Sequence, residues 1–243
     1  NDSNDSNDSI SKNNKKNLWS MILACLFAGL ALFSDGYQNG IIGFINSVLP
    51  VVGQDQYNED ISIRISNAAI IGQIFGQLAF GFIVDKFGRK VGLLGCTILV
   101  VVGALSSSIP FSNSFLVTTW IITISRFILG IGVGGEYPCS STAASETADS
   151  VKQSKRGGIF ILVTNFVLDF GFVFSAILPA ILLVIFGYKH VNNASPINDN
   201  VNFDAIWRIA LGFGALPPLL ILYSRLKYTN EERFEKNAIK HDI

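Results

Sequence analysis

The stretch of residues 61–90, ISIRISNAAIIGQIFGQLAFGFIVDKFGRK, decides the fold class. Its first 24 residues are mostly apolar or small, and Arg64 is the one charged residue among them. An abrupt polar turn, which runs from Asp85 to Lys90, follows this apolar run. A helix needs about 20 apolar residues to cross the hydrocarbon core of a bilayer. The stretch therefore predicts a membrane-spanning helix that ends at a tight, charged loop.

Five more apolar runs of similar length surround this one. Each is too long and too apolar for an amphipathic surface helix, and none shows the ten-residue alternation that is typical of β-barrel strands. We therefore predict an all-α membrane protein with six transmembrane helices. They are expected at residues 18–49, 61–84, 91–109, 115–137, 159–186 and 205–223.

Composition and charge exclude several classes of protein. Hydrophobic residues make up 49% of the 243 residues and charged residues 15%, with 18 positive and 18 negative side chains. Such a chain is too apolar to be disordered, and it lacks the concentrated basic surface that nucleic-acid binding needs. Cys25, Cys96 and Cys139 lie far apart within apolar runs, so we expect buried small side chains rather than disulfides or a metal site.

The sequence gives no indication of an enzyme or of a cofactor. His190 and His241 are isolated from each other and from any candidate nucleophile, and no phosphate-binding P-loop is present. We therefore expect no catalytic residues, no metal and no cofactor.

Positive residues are distributed unevenly between the two sides of the predicted helices. Three precede the first run, three separate runs two and three, three separate runs four and five, and five follow the sixth, so these segments hold fourteen of the 18. The positive-inside rule then predicts that both termini are cytoplasmic. We expect a disordered cytoplasmic tail at 1–16, a transmembrane domain at 17–226 and the start of a cytoplasmic loop at 227–243. The sequon at Asn193 falls on the outer side and is a candidate glycosylation site.

Four ionisable residues lie within the predicted spans: Asp35, Arg126, Glu136 and Asp169. An ionised side chain at the bilayer centre costs at least about 2.5–3.5 kcal/mol, so such residues indicate function, although snorkelling or a structural ion pair is the alternative for each. Their depths predict that Arg126 and Asp169 meet near the middle of the membrane. This pairing leaves Asp35 and Glu136 without a basic partner. Burial disfavours the charged form of a carboxyl group, so both are candidates for carrying a proton.

Small residues recur at helical spacing in two of the runs. Gly130 and Gly134 in the fourth run, and Gly72 and Gly76 in the second, predict faces on which helices approach closely. Pro138 lacks the N–H that would bond the Gly134 carbonyl and predicts a bend in the fourth helix.

The charged loop after the second helix has a recognisable spacing, G-x-x-x-D-K-x-G-R-K. It resembles the loop signature of the major facilitator superfamily, and the R-x-x-x-G of the fourth helix strengthens the match. The resemblance implies gating or structural roles for Asp85, Gly88, Arg89 and Arg126, with Glu146 as the partner of Arg89. The alternative is that the loop charges serve topology alone.

Two further motifs resemble the proton-coupled phosphate porters of that superfamily. They are F-S-D-G-Y around Asp35 and G-G-E-Y-P around Glu136. The resemblance implies that Asp35 and Glu136 serve proton coupling and that Tyr137 contacts the substrate. Glutamate replaces the porters' aspartate at 136, and Asp169 stands near the place of their phosphate-binding glutamine, which makes Asp169 a substrate-binding candidate. The glutamate version and Cys139 are more similar to the fungal glycerophosphodiester permeases.

The superfamily has two six-helix halves, each built from two inverted three-helix repeats. This chain matches the N-terminal half, so we expect either a fragment or a half that pairs with a missing C-terminal half. The resemblance implies a proton-coupled, plasma-membrane transporter of glycerophosphoinositol, glycerophosphocholine or phosphate, with an anionic substrate, protons and lipid as its partners. The alternatives are a sugar or organic-solute carrier, or a non-transporting sensor or remnant.

Overall fold

The computed structural model describes residues 29–109, 114–149, 165–187 and 201–227, with the backbone alone for Arg89 and residues 140–149. These residues form helices and connecting turns. The helices are α1 (29–53), α2 (Glu59–Phe87), α3 (Arg89–Ser108), α4 (Phe115–Asp149), α5 (Val167–Ile185) and α6 (Phe203–Phe213, continued by 216–227). A short 3-10 turn, Gln54–Gln56, follows α1. Helices α2 to α6 are long and apolar enough to cross a membrane. The predicted all-α membrane architecture is confirmed.

The turn between α2 and α3 depends on one glycine. Gly88 has a φ of 84° and donates its backbone N–H to the Val84 carbonyl at 3.0 Å, which ends α2. Residues that carry a side chain rarely adopt such a φ, whereas glycine does so without steric cost. Because α3 begins at Arg89, directly after Gly88, this one residue reverses the chain direction between two spans.

Helix α4 is longer than the sequence predicts. It continues through Pro138 to Asp149, twelve residues past the predicted end at Tyr137. A proline inside a helix removes one hydrogen bond, and the residues after it include the strong helix formers Ala143 and Ala144. One lost bond is therefore insufficient to end the helix there.

Close helix contacts occur where glycines lie on the facing surfaces. A methyl group added at Gly72 would overlap the carbonyl oxygen of Phe127, and one added at Gly130 would overlap that of Ala69, so α2 and α4 pack backbone against backbone. Helices α1 and α5 make the equivalent contact, since Gly36 faces the Leu168 carbonyl. The α2–α4 and α5–α1 contacts correspond if α1–α3 and α4–α6 are equivalent repeats, as the fold class implies.

Replacing Gly72 with alanine is expected to destabilise the protein by about 1–3 kcal/mol, because the added methyl group must push α2 away from α4. Gly81 provides a matched control on the same helix, since nothing lies within 4 Å of the position that its methyl group would take. Gly81→Ala should be neutral or slightly stabilising. Thermal unfolding of the purified protein in detergent measures both variants, and equal effects would contradict the close-contact interpretation.

Helices α1 and α6 are joined through an aromatic core. The Tyr37 hydroxyl donates to the Ala210 carbonyl at 2.6 Å, and its ring packs edge-on against Phe213 with centroids 5.6 Å apart. Helix α6 is interrupted directly after Phe213 by a turn at Gly214 and Ala215. A methyl group added at Gly214 would overlap the side-chain amide of Gln38, so the two residues are in close contact. The broken part of α6 therefore lies against the polar residues of α1.

Helices α2 and α5 are the least buried of the spans. Within the apolar windows of α2 and α5, 28% and 22% of residues are buried, against 44–50% in α3, α4 and α6. Large apolar side chains such as Phe82 and Val184 are exposed on them. These two faces require lipid or further protein to cover them.

Candidate functional site

Helices α1, α4 and α6 bring three charged side chains together inside the helix bundle. Asp35 on α1 is 1% exposed and Glu136 on α4 is 4% exposed. Asp35 lies close enough to Glu136 and to Arg225 of α6 to interact electrostatically with both. We call these three residues the acidic cluster. The sequence names Asp35 and Glu136 as candidates for proton coupling, and this role stays a prediction.

Glu136 is paired, contrary to the expectation that it lacks a basic partner. Arg225 Nη1 lies 3.0 Å from Glu136 Oε1 and forms a salt bridge with it. The Thr97 hydroxyl lies 3.2 Å from the same oxygen. The sequence interpretation assigned Arg225 to the flank after the sixth run, but α6 extends to residue 227 and carries Arg225 into the bundle. A long, flexible arginine side chain reaches a buried carboxylate from the end of a helix in this way.

Arg225 also fixes the end of α6 to α3. Its Nη1 donates to the Leu93 carbonyl at 2.9 Å and contacts the Thr97 hydroxyl. The Thr97 hydroxyl is itself 2.8 Å from the Leu93 carbonyl. One guanidinium therefore links α6 with α3 and α4, and the ion pair is part of a polar network instead of an isolated contact.

Asp35 differs from Glu136, because neither of its carboxylate oxygens has a hydrogen-bond partner among the residues that the structure describes. Nearby buried atoms share this property: Ser34 Oγ, both amide atoms of Gln38, and Arg126 Nε and Nη2. Buried polar groups almost always have a partner, in the protein or in bound water or ligand. Their concentration on one side of α1 and in the middle of α4 indicates a place that receives protons, water or a solute.

The predicted pair between Arg126 and Asp169 does not form. Arg126 is 1% exposed and donates Nη1 to the backbone carbonyl of Gln38 at 2.7 Å. Asp169 is exposed on α5, whose buried side is formed by residues such as Gly171 and Ser175. The depths of the two residues are compatible, but Asp169 lies on the other side of its helix. The position of a residue along its helix predicts its depth in the membrane, but not the side of the bundle that it faces.

Tyr137 is half-buried beside the acidic cluster. It packs against an apolar cluster to which Val133 and Ala215 belong, and it interacts electrostatically with Asp35 and Glu136. Its predicted role as a substrate contact therefore places the substrate next to the same carboxylates. Asp169 lies outside this group, and its substrate role stays a prediction.

The predicted gating residues lie at the opposite end of α2 from Arg64. Asp85 is exposed in the last turn of α2, and Gly88 forms the turn to α3. The side chains of Arg89 and Glu146 lie outside the described residues, so their ion pair stays a prediction. Asn193 also falls outside the described residues, as do the predicted tail and the start of the central loop.

Cys96 of α3 and Cys139 of α4 are both buried, and they pack together with Phe80 of α2. Their distance in sequence gave no indication of this contact. Within the described segments, no group of three or more histidine, cysteine or acidic side chains is arranged to hold a metal ion.

A helical bundle that contains buried polar groups between apolar spans is typical of membrane transport proteins, and comparison with known proteins assigns the family. The chain belongs to the family described as "Sugar (and other) transporter", which matches residues 24–234. Its fold is that of the major facilitator superfamily. The inward-open xylose transporter XylE from E. coli matches it with a TM-score of 0.65 and 20% identity, over 85% of this chain and 47% of XylE.

Curated relatives are named for phosphodiester or phosphate transport. Glycerophosphoinositol transporter 1 of Saccharomyces cerevisiae is 36% identical over 96% of this chain and 43% of its own length. Glycerophosphocholine permease GIT4 of Candida albicans is 34% identical over 93% of this chain and 40% of its own length. Inorganic phosphate transporter 1-1 of Oryza sativa subsp. japonica is 32% identical over 90% of this chain and 43% of its own length. The chain thus spans about 40% of the length of these relatives, as expected of a half.

Proposed function

We propose that this chain is the N-terminal half of a proton-coupled transporter of glycerophosphodiesters, such as glycerophosphoinositol or glycerophosphocholine. The observation that carries the proposal is Asp35, a buried carboxyl group with no hydrogen-bond partner beside the paired Glu136 and Arg225. The names of the relatives support the substrate class. Inorganic phosphate is the smaller member of the same chemistry.

In this proposal the two carboxyl groups have different roles. Glu136 forms a salt bridge with the guanidinium of Arg225 and lies within hydrogen-bond distance of the Thr97 hydroxyl, so we assign it the role of a paired carboxylate. Asp35 lacks such contacts and faces the negative charge of Glu136. Arg225 also lies near Asp35 but makes no hydrogen bond to it, so we assign the proton to Asp35 and the fixed charge to Glu136.

Proton and substrate binding are then linked through charge. A proton on Asp35 removes one negative charge from the site before an anionic phosphodiester enters. Arg126, which carries two unpartnered guanidinium nitrogens, supplies positive charge to the same interior. Alternating access follows when the two halves of the complete transporter rock about the loaded site.

The orientation and the membrane also belong to the proposal. We place both termini in the cytoplasm, because fourteen of the 18 positive residues lie in the segments of one side. The plasma membrane is what the family resemblance implies. A second six-helix half covers parts of α2 and α5. The spacing of the charged loop supports gating at Asp85 and Arg89, as the family resemblance implies.

Uptake competition tests the substrate class. In cells that express the full-length transporter containing this chain, uptake of labelled glycerophosphoinositol should fall at least about tenfold when unlabelled glycerophosphoinositol is added at a hundredfold excess over its affinity constant. Hexoses at the same concentration should have no effect.

Cells that carry the empty vector provide the control. Competition by hexoses alone would assign the chain to the sugar carriers instead. Binding of the labelled compound without accumulation inside the cell would favour a sensor over a transporter.

A further inference from the structure

Arg64 is a charged side chain that the proposed transport mechanism does not use. It lies in the second turn of α2, and its guanidinium carbon is 3.9 Å from the centre of the Trp120 ring. Its Nε lies 3.2 Å from the Thr123 hydroxyl and its Nη2 lies 3.3 Å from the Thr119 hydroxyl. The guanidinium is therefore held in one position against α4.

These contacts leave the positive charge of Arg64 uncompensated. The hydroxyl of Thr123 donates to the Thr119 carbonyl and that of Thr119 to the Leu116 carbonyl, so both accept from Arg64 as neutral groups. No acidic side chain in the described segments forms an ion pair with Arg64. A fixed, uncompensated cation within an apolar span requires an anion or water.

Arg208 provides a direct comparison at the corresponding depth of α6. It also lies near the start of its helix and over a tryptophan, with its guanidinium 5.0 Å from the ring centre of Trp207. Unlike Arg64, it is paired within the chain, since its Nη2 lies 3.7 Å from Asp204 Oδ1. Position near a helix end therefore does not by itself explain the missing countercharge at Arg64.

A groove extends from Arg64 along the surface between α2 and α4. It is open to the surface and has a volume of about 360 Å³, with polar residues near Arg64 and apolar side chains along the rest of its walls. Seven residues separate Arg64 from Ile71 at its inner end, which corresponds to about 10 Å along the helix. The groove is lined by Arg64, Asn67, Ala68, Ile71, Thr123, Ile124 and Phe127.

We propose that Arg64 and this groove bind a phospholipid, with the phosphodiester on the guanidinium and an acyl chain along the groove. Arginine donates paired hydrogen bonds to phosphate oxygens, and Arg64 Nη1 makes none within the described residues. A water-soluble phosphodiester needs several polar contacts, whereas this groove offers one cation and mostly apolar walls. An amphiphile matches both parts. The site lies apart from the acidic cluster and does not depend on the identity of the transported substrate.

Lipid binding to the purified, delipidated protein tests the proposal. Phosphatidylserine is added in mild detergent, and bound lipid is measured by native mass spectrometry. Arg64→Gln should weaken binding about tenfold because charge-assisted hydrogen bonds to the phosphate are lost. Arg64→Lys should have an intermediate effect, since the charge remains without the planar fork. Arg208→Gln is the matched control and should bind like the unmodified protein.

A second variant tests the groove itself. Ile71 is 47% exposed, so tryptophan at this position fills the inner end without entering the core. Ile71→Trp should reduce lipid binding while the thermal unfolding temperature stays unchanged.

Glycerophosphoserine, which is the same headgroup without acyl chains, should bind far more weakly than phosphatidylserine. Equal binding of glycerophosphoserine and phosphatidylserine would show that Arg64 binds a soluble anion instead of a lipid. Equal effects of Arg64→Gln and Arg208→Gln on lipid binding would contradict a lipid site at Arg64. Failure of the full-length transporter to retain lipid would show that the other half covers the groove.

Discussion

Asp35→Asn is expected to abolish proton-driven accumulation of substrate by the full-length transporter while leaving downhill equilibration intact. Asparagine keeps the size and polarity of the side chain but cannot take up a proton at neutral pH. In proteoliposomes with the membrane potential clamped, a gradient of one pH unit supports about tenfold accumulation per coupled proton, since about 1.4 kcal/mol corresponds to a factor of ten. Asp35→Asn should reduce that ratio to the value measured without a gradient.

The control for this experiment is Asp55→Asn, which changes an exposed aspartate in the turn after α1. It should accumulate substrate like the unmodified protein. Glu136→Gln is the informative comparison, because the proposal assigns the fixed charge to Glu136. If Asp35→Asn accumulates substrate normally and Glu136→Gln does not, then Glu136 is the proton carrier instead of Asp35.

Arg225→Met is expected to destabilise the protein by about 3 kcal/mol or more. Removal of one partner from a buried ion pair leaves the other charge uncompensated, and such changes cost about 3–5 kcal/mol. Glu136 is only 6% exposed at its side chain, so water compensates the loss of the guanidinium only in part. The loss also frees the end of α6 from Leu93 and Thr97. Thermal or denaturant unfolding of the purified chain in detergent measures the effect.

The double variant Arg225→Met, Glu136→Gln separates the ion pair from simple packing. Because it removes both charges, it should recover a large part of the stability that Arg225→Met loses. Lys227→Met is the matched control two residues further along, where the lysine side chain is exposed, and it should have little effect. A double variant as unstable as Arg225→Met alone would show that the guanidinium acts mainly through α3.

The candidate site was predictable in part. Asp35, Arg126 and Glu136 are found from sequence because a charge within an apolar run is costly wherever the run lies in the membrane. Arg225, Thr97 and Gln38 were missed. Arg225 follows the apolar run and resembles a flanking charge, whereas threonine and glutamine are common in spans, so the available signal was weak.

The pairing of these residues was not predictable. The wrong pair between Arg126 and Asp169 followed from depth along the helices, which sequence gives at 1.5 Å per residue. Contact also requires that the two residues lie on the facing sides of their helices. Packing of the whole bundle sets the rotation of each helix about its own axis. Gly171 faces Phe33 of α1, and this contact turns Asp169 outwards.

The sequence by itself determined that this chain is a helical membrane protein, where its spans lie, and where α2 and α4 approach closely. These properties depend on local apolar length and on the spacing of small residues, which any short stretch of sequence displays. Only the tertiary structure decided that Glu136 pairs with Arg225, that Asp35 stays unpartnered and that Arg64 lacks a countercharge. These properties depend on distances between side chains far apart in sequence, which exist only after the helices have packed.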